Sequence, residues 1–479
     1  MMNSSFTYLD LFAGCGGISL GLERAGGKLV AAVEKSQMAG ETFYRNFLEP
    51  LQGGTTWEHH LTLSVEKQAR AGLIVGPLED ALNSEQVMEE WSAQEIDVVV
   101  GGPPCQGFSL AGRRNARDDR NSLPWQFLDV VTEIEPRIVV MENVVGMGHK
   151  FDGDEESVFT QLRKALGSIK GRKRQLGYSV RGLLINANHF GAPQNRPRLM
   201  LVALRDDMAN QLEDFGACHD IWKSHFADEI PAESDDYLAP RSKTARNDAP
   251  TLGDAICDLG ENTKPSVAAR SDAYLADLAT KSRWGLPDVV SSPNGVIKNH
   301  EFRKHSARTV TRFRVYQYLR DVGLKKLMTN FATQKIDRGE VEKQLKNVMG
   351  TGEAWDGEGK PIAKDYLELS RLVCDLATRK HSQSALDWHG PSRTVVTLPD
   401  DYVHPIHPRV LTVREFARVQ GFPDDFVFFG KTTTGSDRRR FEVPQYSQVG
   451  NAVSPFVGLA IGELIVVLLT PPVRNLADA

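Results

Sequence analysis

The stretch Asp10-Leu-Phe-Ala-Gly14-Cys-Gly16-Gly17, directly behind an apolar run at 6–12 and ahead of an amphipathic segment at 18–25, decides how the chain reads. Glycines there let the backbone turn sharply out of a strand and lie close to a ligand, while the following helix offers unpaired N–H groups. About twenty residues on, Glu34 ends a second apolar run, a position from which a carboxylate reaches ribose hydroxyls. A dinucleotide site would carry G-x-G-x-x-G; here an acid-x-aromatic precedes GCGG. An acid ahead of the turn disfavours a pyrophosphate and suits a cationic cofactor without phosphate. The reading is S-adenosyl-L-methionine, held by Asp10, Gly14, Gly16, Gly17 and Glu34.

Outward from this turn, short apolar runs recur at 28–34, 73–76, 96–102, 137–143, 180–187 and 198–204, separated by helix-like stretches such as 36–47 and 123–134. Strands alternating with helices predict an α/β fold on a largely parallel sheet. The rhythm stops at about Asp206. Residues 1–205 are therefore the first part of a catalytic, cofactor-binding domain, and 206–392 a separate polar, loop-rich module of low regularity. Residues 393–479 form a return segment with a strand-like RTVVTL (393–398), a helix at 411–421 and a last helix at 454–469. The first strand starts at residue 6, so the last helix is expected to fill the place beside it and complete the first domain. The spacing of GLAIG (458–462) predicts close helix packing.

Composition sets the outer limits. Lys+Arg 57 against Asp+Glu 62 gives a net charge of −5, which excludes a uniformly cationic nucleic-acid coat and confines any such contact to local basic clusters. Five cysteines, at 15, 105, 218, 257 and 374, form no CxxC pair and suggest neither a disulfide framework nor a metal site. No secretory signal order is read at the N-terminus, and the most apolar stretch, 456–469, is short for a span and contains Glu463. The expectation is a cytoplasmic protein without a membrane partner.

Gly101-Gly-Pro-Pro-Cys105-Gln-Gly-Phe-Ser109 follows the run at 96–102, placing a thiol at a strand's carboxyl end, where α/β sheets bind ligands. Two prolines before it fix its position, and polar QGFS with a basic run at 111–117 argues against a core cysteine. Cys15 is the better structural cysteine. Glu142 ends another strand, and Gln194-Asn-Arg196-Pro-Arg198 precedes the next, with arginines at alternate positions expected on one face. A thiol, a carboxyl group, arginines and a methyl donor suit methylation at carbon 5 of cytosine. Thiolate addition at carbon 6 makes carbon 5 nucleophilic, and an acid at nitrogen 3 with arginine on the 2-oxo group stabilises the adduct. A base within a duplex must be flipped out to reach such a site.

These residues resemble the DNA (cytosine-5) methyltransferase family of bacteria and phages. DLFAGCGG, GPPCQGFS, MENV (141–144), QNRPR (194–198), RTVVT (393–397) and VGNAVSPFVG (449–458) are similar to six of its motifs, in its order. The resemblance implies a Rossmann-like mixed sheet with helices on both faces and a smaller, irregular target-recognition domain. It implies Cys105 as nucleophile, Glu142 as acid and Arg198 at the base with Arg196 supporting. Phe12 would pack on the cofactor's adenine, with Pro103 and Asn451 also on the cofactor side. Gln106, Ser109 and Gln194 would lie near the flipped nucleotide. The basic clusters 303–314 and 438–440 would meet phosphates. The implied partners are double-stranded DNA and a cognate restriction endonuclease, with a monomer as the simplest assembly. Two positions depart from the family. Pro77 stands where an acid often contacts the adenine amino group, leaving Glu79 or Asp80 for that role, and Lys35 stands where an aromatic is frequent. The tRNA-cytosine branch is disfavoured because its Cys-Phe-Thr segment is missing. A catalytically silent reader is disfavoured by the intact Cys105, Glu142 and Arg198.

Overall fold

A computed structural model describes residues 5–49, 56–104, 122–148, 150, 156–212, 215, 221–230, 238–259, 268–280, 297–380, 382–435, 438 and 442–470. The predicted runs are strands: β1 (Phe6–Leu11), β2 (Gly27–Glu34), β3 (Leu73–Val75), β4 (Val98–Gly101), β5 (Ile138–Val144) and β6 (Tyr178–Asn186). They are followed by a two-residue β7 (Gln194–Asn195), then β8 (Pro197–Arg205) and β9 (Trp222–Lys223). All but β7 form one sheet in the order β3-β2-β1-β4-β5-β8-β6-β9. β1 to β5 run parallel, whereas β8 lies antiparallel between β5 and β6, so the sheet is mixed. Strand order reverses between β1 and β4, and the crevice beyond the carboxyl ends there is where open α/β sheets bind ligands.

Alternation along the strands builds two cores. Tyr8, Val98, Val100, Ile138, Val140 and Val202 point to one face, and Leu9, Leu11, Val99, Val139, Met141 and Leu201 to the other. Helix α1 (Gly17–Arg24) and the last helix cover the first face; α2 (Leu123–Ile134) covers the second through Phe127, Val130 and Val131. The last helix, Pro455–Leu469, lies against α1 so closely that a Cβ at Gly21 would stand 2.3 Å from the Leu459 nitrogen, and one at Gly462 2.4 Å from the Ala25 Cβ. The glycine spacing serves helix packing, and β1 and the last helix share one core face.

Two expectations change. The strand at 393–398 is reduced to Ser392–Arg393, which pairs with β7. Beyond Arg393 the main chain bonds to side chains: Val395 N–H donates to Gln194 Oε1 (3.0 Å) and the Thr394 carbonyl accepts from the Tyr402 hydroxyl (2.7 Å), so no ladder can continue. The stretch 206–392, in its described residues, is also not uniformly loop-rich. Its second half forms α3 (Ala307–Asp321), α4 (Arg338–Met349) and α5 (Tyr366–Leu376) around a third core of Val315, Leu319, Val341, Leu345, Leu369 and Val373. Val403 and Val410, from beyond residue 392, join that core, whereas Leu252, Ile256, Tyr274 and Leu278 join the sheet's first core. A polar sequence concealed these helices because their exposed faces are densely charged.

Candidate functional site

The chain leaves β1 through Phe12 and Gly14 in the left-handed region, at φ 61° and 58°. That conformation is costly for phenylalanine, and such outliers gather at ligand sites. Glu34, at the end of β2, secures the turn: its Oε2 accepts from Gly14 N–H (2.9 Å) and its Oε1 from Ser36 N–H (2.6 Å). Burial pushes the Glu34 carboxyl upward, opposed by these two bonds. A Cβ at Gly14 would meet nothing within 4 Å among the described residues, so this residue borders space that they leave open. Gly16 and Gly17 serve packing instead, since a Cβ would stand 2.4 Å from the Phe47 ring at one and 2.2 Å from the Val453 carbonyl at the other.

Asp10 is 1% exposed; its Oδ2 accepts from the Ser19 hydroxyl (2.5 Å) and its Oδ1 has no partner among the described residues. Burial pushes its carboxyl up to about 7, against the Ser19 bond and with a smaller contribution from Glu34. Cys15 is buried, its Sγ 3.6 Å from the Gln448 carbonyl, and burial raises its thiol far above the ordinary range. It is the inert cysteine the sequence suggested. Beyond β3, Glu79 Oε1 accepts from Gln126 Nε2 on α2 (2.7 Å), and the buried Glu79 Oε2 and Gln126 Oε1 have no partner among the described residues. Asp80 is exposed, with its Oδ2 against the Gly76 backbone.

At the exit of β4, the Pro103 carbonyl accepts from Asn143 Nδ2 (3.1 Å), tying the Gly101–Pro104 segment to β5. Pro103 itself is buried. Glu142 of β5 faces Met200 of β8, and Arg198 faces Val144, which makes Glu142 and Arg198 diagonal neighbours on one side of the sheet. Arg198 Nε lies 2.8 Å from Glu142 Oε1, with the two side chains 14% and 12% exposed. Glu142 Oε2 lies against Gly102, where a Cβ would stand 3.0 Å away. A carboxyl group with one oxygen committed and the other at the strand exit is placed to exchange a proton with a group arriving there.

Arg196 does not share this orientation. The residue lies between β7 and β8 rather than within either, so strand alternation does not apply. Its guanidinium turns inward: Nη1 donates to the Val395 carbonyl (3.1 Å) and Nη2 to those of Gly450 (2.8 Å) and Ala452 (2.9 Å). Gln194 is likewise fully buried and donates to the Val419 carbonyl (3.1 Å) and to Gln420 Oε1. This places it away from any contact with solvent-borne nucleic acid. Asn451 is exposed at the end of helix Gln445–Asn451, between the two carbonyls that Arg196 grips. The arginines of 303–314 are largely committed within the helical module. Arg303 pairs with Asp400 (2.9 Å), Arg312 donates to the Leu376 carbonyl (3.0 Å) and Arg314 pairs with Asp356 (2.6 Å). Cys105, Gln106, Ser109, the basic run 111–117 and residues 439–440 lie outside the described residues; Arg438 is exposed. Sequence reasoning missed Gln126 and Gln420, because each meets its partner only in space, 47 residues from Glu79 and 226 from Gln194.

The sequence profile described as C-5 cytosine-specific DNA methylase matches residues 6–466. The chain is 28% identical over 459 residues to the type II methyltransferase M.DdeI of Desulfomicrobium norvegicum, covering 95% of this chain and 88% of that one. It is 28% identical over 469 residues to the type II methyltransferase M1.HphI of Haemophilus parahaemolyticus, covering 97% and 88%. Among solved structures, a putative DNA modification methyltransferase encoded within an Escherichia coli prophage aligns over 97% of this chain and 99% of that chain, with TM-score 0.49 and 23% identity.

Proposed function

The chain belongs to the C-5 cytosine-specific DNA methylases, and from that premise we propose that it works through Cys105 as nucleophile, Glu142 as acid and Arg198 at the base. The Arg198–Glu142 pair carries this reading: it stands at the carboxyl end of β5 beside the segment whose last described residue, Pro104, precedes Cys105 in the sequence. A cytosine flipped into the crevice offers carbon 6 to the thiolate while Glu142 delivers a proton to ring nitrogen 3. Arg198 holds Glu142 through one oxygen and supports the 2-oxo group, where negative charge develops. S-adenosyl-L-methionine, when bound, supplies the electrophilic methyl carbon that carbon 5 takes. Loss of the carbon-5 proton to solvent then re-forms the double bond and expels the Cys105 thiolate, and nitrogen 3 returns its proton to Glu142.

The residues at the β1 end fit that cofactor. Glu34 is anchored by Gly14 and Ser36 with lone pairs left for ribose hydroxyls, and Phe12 is held in a strained turn beside the open space at Gly14. Among the described residues Glu79 Oε2 and Gln126 Oε1 have no partner, and both can accept from an amino group such as that of the cofactor's adenine. They are the stronger replacement for the acid absent at Pro77, Asp80 being exposed. Asn451 closes the cofactor side. Arg196 acts indirectly, and Gly16 and Gly17 shape the turn without touching the cofactor.

The substrate is a specific sequence in duplex DNA, read by the helical module and its flanks. The reading extends to a restriction-modification setting with a cognate endonuclease, in the cytoplasm, acting as a monomer. Cys105→Ser tests the chemistry: transfer of labelled methyl groups to duplex DNA falls to background while duplex binding stays within about threefold, because oxygen is a far weaker nucleophile at neutral pH. Wild-type turnover by that variant would refute the role of Cys105.

A further inference from the structure

Four separate segments meet behind Arg198 in a closed ring of buried hydrogen bonds. Gln194 Oε1 accepts from Val395 N–H (3.0 Å), and the Val395 carbonyl accepts from Arg196 Nη1 (3.1 Å). Arg196 Nη2 reaches the Ala452 carbonyl (2.9 Å), which also accepts from Gln420 Nε2, and Gln420 Oε1 accepts from Gln194 Nε2. Gln194 and Gln420 are 0% exposed and Arg196 2%. The ring is joined to the last helix, whose N-cap Ser454 donates to the Gln420 carbonyl (2.7 Å). It is also joined to the helical module: Tyr402 donates to the Thr394 carbonyl (2.7 Å), and Tyr402–Val403 pairs with Ser384–Ala385, with Val403 in the module's core.

Such a ring is an expensive way to fill a core. The Arg196 Nε has no partner among the described residues, and the guanidinium is met chiefly by carbonyl dipoles, so burial lowers its proton affinity. Apolar side chains of the same volume often stabilise as well or better, and networks of this kind are kept where they fix one geometry. The geometry fixed here is that of Arg198, two residues beyond Arg196, and of Asn451, between the carbonyls of Gly450 and Ala452 that Arg196 holds together.

We propose that Gln420, with Gln194 and Arg196, is a positioning residue: the ring holds Arg198 and Asn451 in register with the helical module, so that duplex seated on the module meets an assembled reacting centre. The proposal rests on the reading of Cys105, Glu142 and Arg198 given above. Gln420→Met keeps the volume and removes both hydrogen bonds; Gln420→Glu keeps the acceptor for Gln194 and donates to Ala452 only when its carboxyl is protonated.

The test is single-turnover methyl transfer, measured beside duplex affinity and the affinity for S-adenosylhomocysteine. In Gln420→Met and Gln194→Met the transfer rate falls about tenfold or more, since misplacement near 1 Å costs up to about a hundredfold, while duplex affinity stays within about threefold and S-adenosylhomocysteine affinity, to which Asn451 contributes, falls by less than the rate. The double variant is no slower than the worse single one, because one ring is broken once. Gln420→Glu recovers rate relative to wild type as pH falls from about 8 to about 6, a buried carboxyl regaining its proton in that range. Wild-type rates in Gln420→Met, multiplying losses in the double variant or a pH-independent ratio in Gln420→Glu would overturn the proposal. So would joint loss of both affinities in all variants, which assigns the ring to stability alone. If the wild-type chain transferred no methyl group, the underlying reading would fail instead.

Discussion

Arg196 and Arg198 lie two residues apart in one motif and do opposite work. Arg198 sits at the edge of the crevice, paired to Glu142, with one of its donors on its own neighbour's carbonyl, that of Pro197 (2.8 Å). Arg196 is buried against three carbonyls contributed by residues about 200 and 250 positions away. The difference comes from the backbone: Arg198 belongs to β8 and obeys its alternation, whereas Arg196 occupies the break between β7, which pairs outside the large sheet, and β8. Charge in a motif therefore says little until the strand carrying it is known. The same contrast recurs at β1, where Gly14 borders open space while Gly16 and Gly17 are walled in.

The comparison can be broken most sharply at its open member. Glu142→Gln and Arg198→Met should each lower methyl transfer by about a hundredfold to ten-thousandfold, the usual loss for a positioned acid or an oxyanion-stabilising donor, with little change in chemical denaturation. Equal losses of stability and activity would erase the distinction between the two arginines. At the buried member the balance reverses. Arg196→Met leaves the carbonyls of Val395 and Gly450 short of a donor and should destabilise the fold by about 2–3 kcal/mol in urea unfolding. A neutral result would show that those bonds are replaced by solvent.

The β1 end sharpens the contrast with a smaller, pH-dependent effect. The folded chain holds the Asp10 proton up to about pH 7, while an unfolded aspartate releases it near pH 4. The folded state therefore binds more protons across that window, and stability falls as pH rises from about 4 to about 7, by up to about 3 kcal/mol. Glu34 acts in the same direction. Asp10→Asn should flatten this slope, with Glu34 sustaining the remainder, and unfolding curves at several pH values read the difference. An unchanged slope would mean that Asp10 is ionised in the native chain.

Much of the sheet was legible because its strands are apolar runs closed by glycine or acid, and 73–76, 137–143 and 198–204 lie within a residue or two of β3, β5 and β8. The helix read at 411–421 is Val413–Gln420, which the structure closes with a Thr412–Glu415 capping box and with Gly421 at φ 102°. The module around Val315 and Leu345 was not legible, because its helices spend their arginines internally on carbonyls and carboxylates, so polar composition looked like loop. At the site, Glu142 and Arg198 were each legible as residues near a strand end, but their pairing was not, since it depends on β8 lying antiparallel beside β5. Gln420 and Gln126 were not legible, since an amide in a helix becomes informative only when its partner is known. RTVVTL misled for a related reason: β-branched residues suit a strand, but here the neighbouring amide and guanidinium take the bonds that a ladder would need.

The account turns on one covalent bond, and a duplex carrying 5-fluorocytosine at the target position tests it directly. Incubated with that duplex and S-adenosyl-L-methionine, the chain should form a denaturation-resistant adduct, because fluorine cannot leave as a proton does, and peptide mapping should place the nucleotide on Cys105. No adduct under conditions that methylate unmodified duplex, or an adduct on Cys15, Cys218, Cys257 or Cys374, would contradict it.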